Sequence, residues 1–345
     1  MSVLTEVRSP QRTRTRWWIL AVLCLSLFMV VVDNTIVNVA LPTLSEELSA
    51  TTANLQWIVD AYTLVFSALL LAFGYFGDRT GRRRALQFGL VIFAITSGLA
   101  ALSQTTEQLI GARALMGVGA AMIFPATLAI IINVFTDVRE RAMAIGIWSG
   151  VTGLAVAAGP VTGGLLLEHF WWGSIFLVNI PIALLALVAG RLLIPDSRDP
   201  RPGGLDRMGL FLSITAVAAI VWAVIEAPHR GWTSPEIVII GTTGLLLLAA
   251  FVVHELRTSY PLLDVSLFAN PRFSAASVAI ASAFFGLFGF IFLITQYMQL
   301  VQGYSPLQAG LRTVPFAVVT GVFSPLSIAI MHRVGSKAVV AFGLA

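Results

Sequence analysis

The sequence predicts an all-α polytopic membrane protein. Three observations carry that prediction. Of 345 residues, 57% are hydrophobic and only 11% are charged, where a soluble domain carries about 25% charge. Apolar runs recur along the whole chain, each near the roughly 20 residues that a helix needs to cross about 30 Å of hydrocarbon. Lys and Arg gather in alternate loops between those runs, the bias that orients membrane spans. Backbone groups in lipid must pair internally, and the alternating pattern of barrel strands is absent, so the runs are expected as helices.

The first sixteen residues are polar and carry Arg8, Arg12, Arg14 and Arg16. They are expected as a cytoplasmic tail. The run that follows, 17–41, is too long for the core of a signal peptide and contains Asp33, so it is a retained first span. Further spans are expected over 54–76, 85–103, 108–134, 141–167 and 173–194. Four more follow over 208–226, 236–254, 275–301 and 307–331, and an eleventh run begins near 337.

The loops fix the expected orientation. One set holds Glu46 and Glu47, then Glu107, then Glu168 with His169, and no Lys or Arg. The other set holds Arg79, Arg82, Arg83 and Arg84, then Arg139 with Arg141, Arg191 through Arg207, Arg257 with Arg272, and Arg333 with Lys337. The basic set is expected inside, which places the protein in the plasma membrane as a multi-pass chain with a cytoplasmic N-terminus. Arg230 is the exception among the outside loops. The stretch PDSRDPRPGGLD is dense in Pro and Gly and reads as a linker after the sixth span. HRVGSK, after the tenth span, faintly repeats DRTGRR after the second, and internal repeats are common in transporters.

Several functions are excluded. The net charge of +4 is a topology signal, with no basic face of a soluble fold to bind nucleic acid. Cys24 is the only cysteine, so neither an intrachain disulfide nor a cysteine metal site is expected. His169, His229, His254 and His332 are scattered and lack an HxxxH spacing. HExxH, GxSxG and P-loop patterns are absent, so neither an enzyme nor ATP drive is expected.

Four constellations carry candidate chemistry. In VVDNTIVNVALP, Asp33 lies deep in the first span, and a carboxylate there costs roughly 2.5–3.5 kcal/mol unless it meets a cavity or partner. It either handles a proton or substrate or merely bonds a neighbouring helix; Asn34 and Asn38 share one helical face. In QWIVDAYTL, Asp60 stands near Trp57 and Tyr62, an arrangement suited to attracting a cation, although interfacial aromatics also serve as anchors. In RALMGVGAAMIFPATLAII, Arg113 is intramembrane and keeps its proton, so it can hold a carboxylate ionised; the alternative is that it snorkels outward. In GIWSGVTGLAVAAGPVTGGLL, Gly146, Gly150, Gly153, Gly159, Gly163 and Gly164 recur around Pro160, a surface for close helix contact with a possible bend. This helix is expected at the interface between two bundles.

These motifs resemble the fourteen-helix drug:proton antiporter branch of the major facilitator superfamily. GYFGDRTGRRRAL is similar to the superfamily's signature after the second helix, with Gly74, Asp78, Gly81, Arg82 and Arg83 on the signature positions and Arg79 among them. VVDNTIVNVALP resembles the first-helix signature, RALMGVGAA the fourth, with Arg113 and Gly117, and GPVTGG the fifth-helix antiporter signature at Gly159, Pro160, Gly163 and Gly164. YMQLVQGYSPLQAGLRTVP also looks like this branch.

The resemblance implies a major facilitator-type helix bundle. It implies a six-helix N-terminal bundle over 17–194, a cytoplasmic linker over 195–207 and two inserted helices over 208–254. A C-terminal bundle over 275–345 is expected to be truncated relative to the six helices such bundles have. The implied function is proton-coupled multidrug efflux by antiport of small hydrophobic or cationic compounds, with protons and membrane lipid as further partners. No cofactor is implied, the proton gradient being the energy source. Asp33, Asp60 and Arg113 are the implied coupling or substrate residues, and Gly74, Asp78, Arg79, Gly81, Arg82 and Arg83 the implied cytoplasmic gating loop. The alternatives are a membrane protein that does not transport and an exporter of one specific metabolite.

Overall fold

Helix follows helix with short breaks. The computed structural model describes residues 10–198 and 206–344. The elements are α1 (Pro10–Glu47), α2 (Thr52–Thr80), α3 (Arg82–Ala101), α4 (Thr106–Val134), α5 (Val138–His169), α6 (Ser174–Leu177) and α7 (Asn179–Leu193). Then come α8 (Arg207–Arg230), α9 (Pro235–Glu255), α10 (Pro271–Gln296), α11 (Pro306–Val334) and α12 (Ser336–Leu344). Among the described residues, nine helical stretches are long and apolar enough to cross a membrane, with α6 and α7 forming one of them.

The helices start ahead of the apolar runs because polar caps set their ends. Thr51, Thr105, Asp137, Asp206, Ser234 and Asn270 each accept a backbone N–H from the first turn that follows. Ser305 and Gln308 form a reciprocal capping box at the start of α11. Burial pushes the Asp206 carboxyl up, but the Gly209 N–H and His254 outweigh it and hold the group below its ordinary range.

Several expected boundaries move. Residues 10–16 belong to α1 rather than to a tail, and Arg16 reaches Glu140 at 2.8 Å. Helix α1 also runs through Pro42 to Glu47. A proline inside a membrane helix is tolerated where neighbouring groups take up the freed backbone bond. The sixth span is broken at Val178 into α6 and α7. The unit expected to open at 275 begins at Pro271, capped by Asn270.

The largest correction concerns the stretch around the arginine cluster. Gly77 and Gly81 both offer a sharp turn beside the cluster, but Gly77, like Gly74, lies inside α2, which continues to Thr80. Gly81 alone makes the break, at φ 123°, a backbone conformation that favours glycine. The faint repeat expected downstream has the same backbone form, since α11 ends at Val334 and Gly335, at φ 90°, precedes α12. The expected linker is partly docked: Ser197 O accepts the Arg82 N–H at 3.0 Å. Its residues 199–205 lie outside the described residues.

Helix α1 is the axis of the fold. Its most apolar window is 78% buried, against 22% for α8 and 17% for α9. It packs on α5, α7 and α4, while α4 packs on α2 and α3. Helices α8 and α9 pair with each other and touch the bundle through α2. Helix α11 lies along α5.

Small residues set these approaches. A Cβ on Gly117 would stand 2.6 Å from Tyr62 O, so only glycine lets α4 come this close to α2. A Cβ on Gly159 would stand 3.0 Å from Ile36 N, and one on Gly163 2.8 Å from Ile36 Cγ1. Gly159 and Gly163 therefore face the backbone of α1, within the first bundle, while the same helix packs on α11. The contact from α5 to α11 is made at Pro160, whose carbonyl oxygen would lie 2.5 Å from a Cβ on Gly310.

Gly159→Leu should overpack the α1–α5 contact and cost about 1–3 kcal/mol. Thermal unfolding in detergent reads this as a lowered midpoint. An unchanged midpoint would mean that α1 and α5 do not meet at this glycine.

Candidate functional site

The site grows from one turn of α1. Asp33 and Arg113 are both 0% exposed, and Arg113 Nη1 donates to Asp33 Oδ2 at 2.5 Å. Asp33 sits on α1 and Arg113 on α4, so the antiparallel helices bring the two charges to one depth. Arg113 does not snorkel outward. Its Nε donates to Ile58 O at 3.0 Å, and its guanidinium lies 4.4 Å from the centre of the Tyr62 ring. Gly117, one turn on, permits the α2–α4 approach that both contacts need.

Two residues that the motifs did not single out complete the centre. Asn179 Nδ2 donates to Asp33 Oδ1 at 2.8 Å and to Ser97 Oγ at 3.0 Å. Ser97 Oγ in turn donates to Phe176 O at 2.8 Å. Thus α3 and α7 join the pair. The available signal was an amide alone inside the apolar run 173–194, since an intramembrane polar side chain implies a partner. Arg113 Nη2 and Asn179 Oδ1 are buried without a hydrogen-bond partner among the described residues.

Beside this centre lies open space. A cavity of about 530 Å³ is lined by Asn34, Asn38, Tyr62, Phe66, Phe124, Thr152 and Phe284, among others. An adjoining one of about 830 Å³ shares Asn38 and Val59 with it and holds Gln56 and Asp60. Helix α10 and the π-turn after it contribute Phe285, Gln296 and Gln299. These volumes suit a drug-sized ligand. Tyr62 lines the smaller cavity on one side and covers Arg113 on the other, so its ring is the partition between cavity and ion pair.

The structure does not assemble an aromatic cage around Asp60. Trp57 turns away and donates to Glu226 Oε1 at 2.7 Å, and Tyr62 faces Arg113. Asp60 carries the one carboxylate among the described residues of the two cavity linings.

The arginine cluster holds its own unit together. Arg82 Nε reaches Asp78 Oδ1 at 2.6 Å, and Arg83 Nη1 donates to Ile194 O at 3.1 Å. Asp196 lies 3.9 Å from Arg83 and 4.0 Å from Arg84. Asp78 is thus paired four residues along its own chain segment, and the cluster clasps the end of α7. Arg79 lies in the last turn of α2. On α5, Gly153 and Gly164 are buried and Gly150 is half-buried.

Replacing Arg113 by Met would leave Asp33 buried and unpaired, which costs about 3–5 kcal/mol. The double variant with Asp33→Asn should regain most of that loss. Unfolding midpoints of the three proteins test this, and equal midpoints for Arg113→Met and wild type would contradict the pairing.

Comparison with known proteins places this geometry. Residues 23–345 match the Major Facilitator Superfamily profile. The chain is 46% identical, over 90% of its length, to the multidrug efflux pump LfrA of Mycolicibacterium smegmatis, and spans 62% of that protein. It is 35% identical, over 96% of its length, to the multidrug resistance protein Stp of Mycobacterium tuberculosis, again spanning 62% of it. It is 37% identical, over 96% of its length, to the methyl viologen resistance protein SmvA of Salmonella typhimurium, spanning 67% of it. Among solved structures, the peptide transporter POT in complex with sulfate shares the fold, with a TM-score of 0.61 at 19% identity over 91% of this chain and 69% of that one. With its many membrane-length helices and a profile match over nearly its whole length, this integral multi-pass membrane protein belongs to the Major Facilitator Superfamily.

Proposed function

We propose that the protein exports small hydrophobic or cationic compounds in exchange for protons, without a cofactor. The observation that carries this reading is the buried Asp33–Arg113 pair set one ring away from a cavity, with the carboxylate of Asp60 in the adjoining one. The printed names of the relatives, multidrug efflux and methyl viologen resistance among them, support small drug-like substrates, some of them cationic. Apolar and aromatic walls with a few amides suit a pocket that accepts many shapes.

In this reading Asp33 is the proton site. A proton and the Arg113 guanidinium compete for the same carboxylate. Protonation removes the charge that holds α1 to α4 and frees Arg113 to shift against Tyr62. The cavity wall then changes on the side where substrate binds. Burial away from water makes such a competition strong, because neither ion has solvent to fall back on. Each charge that crosses the membrane carries roughly 2.3 kcal/mol per 100 mV. Rocking of one bundle against the other around the cavity would convert this into export.

The arginine-rich end of the bundle is cytoplasmic in this reading, with the N-terminus. Arg16 with Glu140, and Arg83 with the end of α7, mark that end. Arg230 stands at the opposite end, and there it is neutralised by Glu226 and Glu236, both at 2.6 Å. The one basic exception in the loop pattern thus adds no net positive charge on the outer side.

In everted membrane vesicles from cells that express the protein, Asp33→Asn should abolish substrate movement driven by a pH gradient while sparing binding. Uphill transport by that variant would place the proton site elsewhere, with Asp60 the next candidate.

A further inference from the structure

The start of α8 and the end of α9 meet over two carboxyl groups that the transport site does not use. Asp206 caps α8 and accepts the Gly209 N–H at 2.8 Å. His254 Nε2 lies 2.9 Å from Asp206 Oδ1 and 3.0 Å from Oδ2. Both oxygens of Asp206 thus face donors, as an ionised carboxylate requires, the imidazole carrying a hydrogen on Nε2. Glu255, the last residue of α9, is only 4% exposed, on a helix that otherwise lies mostly open. Its Oε2 accepts the Leu263 N–H at 3.0 Å. Its Oε1 is buried with no hydrogen-bond partner among the described residues. That oxygen and Asp206 Oδ2 crowd one spot: a Cβ on Gly209 would stand 2.6 Å from the first and 2.4 Å from the second.

A buried acceptor without a donor is costly, and two like charges side by side are costlier. One proton on Glu255 Oε1 removes both costs. The orphan acceptor becomes a donor, and Asp206 Oδ2 is the acceptor in front of it. Among the described residues, no three acidic, histidine or cysteine side chains are arranged to hold a metal ion, so a proton is the cation that fits. We propose that Glu255 and Asp206 hold one proton between them, at a binding site separate from Asp33. Asp206, His254 and Glu255 line neither of the two cavities. The proton fastens the first turn of α8, the last turn of α9 and, through Leu263, the chain that leads on to α10. Helix α10 in turn lines the two cavities with Phe284 and Phe285. Loss of the proton to water leaves two facing charges and loosens the segment that leads into α10.

The groups around the pair give the sign of its pH dependence. Asp206 acts on Glu255 from the start of α8, and His254 acts on Asp206 from α9. Arg207, Arg257, Tyr260 and Asp264 stand nearby in sequence but are exposed. In the unfolded chain a glutamate ionises near about pH 4.3. In the fold Glu255 keeps its proton above that. The stability this proton contributes is therefore complete at acidic pH and is lost as pH rises.

Infrared spectra of the purified protein in detergent read the proton directly. At neutral pH, wild type should show a protonated-carboxyl band that Glu255→Gln lacks and Asp33→Asn keeps. A glutamine at this position offers the same donor to Asp206 and the same acceptor to Leu263, with no proton to lose. The melting midpoint of Glu255→Gln should therefore lie near that of wild type at about pH 5 and exceed it increasingly toward about pH 8. Asp206→Asn keeps the cap but removes the facing charge and presents an amide donor to Glu255 Oε1. The band should then vanish at a pH lower than in wild type by about one unit or more. Absence of the band from wild type at neutral pH, its survival in Glu255→Gln, or parallel midpoint curves for those two proteins would overturn the proposal. Should Glu255→Gln fail to fold, Asp206→Asn decides: a band lost at the same pH as in wild type would mean that the two carboxyl groups share no proton.

Discussion

A carboxylate and a guanidinium, both sealed from solvent and 2.5 Å apart, set the terms for the rest of this bundle. Removing two such charges from water costs several kcal/mol per ion, and their attraction repays it only when the remaining polar groups also find partners. Here the partners come from three further helices. Helix α2 offers Ile58 O and the Tyr62 ring, α7 offers Asn179, and α3 offers Ser97. Each of those helices must approach closely, so Gly117 stands where a Cβ would strike α2 and Gly159 where one would strike α1. Small residues and buried charges are thus two sides of one constraint. A well-packed apolar pair would hold the helices as well or better, so the ion pair is best understood by what it can do when a proton arrives.

Much of this was legible in the sequence. Asp33 and Arg113 stood out because charge inside a membrane span is costly, and the directions of their helices put them at similar depth. The arginine cluster and the glycine at position 81 were legible for the same kind of reason, charge and backbone conformation. Asn179 and Ser97 were less visible. A lone amide or hydroxyl in an apolar run fits many environments, and only the packing of α3 and α7 on α1 tells which one applies. Trp57 was read as an anchor or a cation contact and instead bonds Glu226, nearly half the chain away. Local pattern does not encode such a partner. The glycines of α5 were correctly taken as a close-contact surface, but which helix met them was a matter of topology: the face points to α1, and Pro160 meets Gly310. The stretch around Gly77 reads as a turn only when glycine is weighed without its apolar flanks, which carry α2 on to Thr80.

The two ends of the bundle are built differently. At one end, Arg82, Arg83 and Arg84 gather the start of α3, the end of α7 and Asp196. At the other, acids and amides dominate, as in Ser305 with Glu168 at 3.2 Å and Asn54 with Thr106 at 3.2 Å. The first kind of end is held by charge within one unit. The second also holds ion pairs, Arg230 with Glu226 and Glu236, and there the Ser305–Glu168 bond joins α11 to α5.

Proton-coupled export through this pair requires Asp33 to take up a proton. Infrared difference spectra of the purified protein between neutral and acidic buffer report buried carboxyl groups directly. A carboxyl band should grow on acidification in wild type and be missing in Asp33→Asn. A band of the same position and size in both proteins would contradict the assignment and leave the buried pair as structure alone.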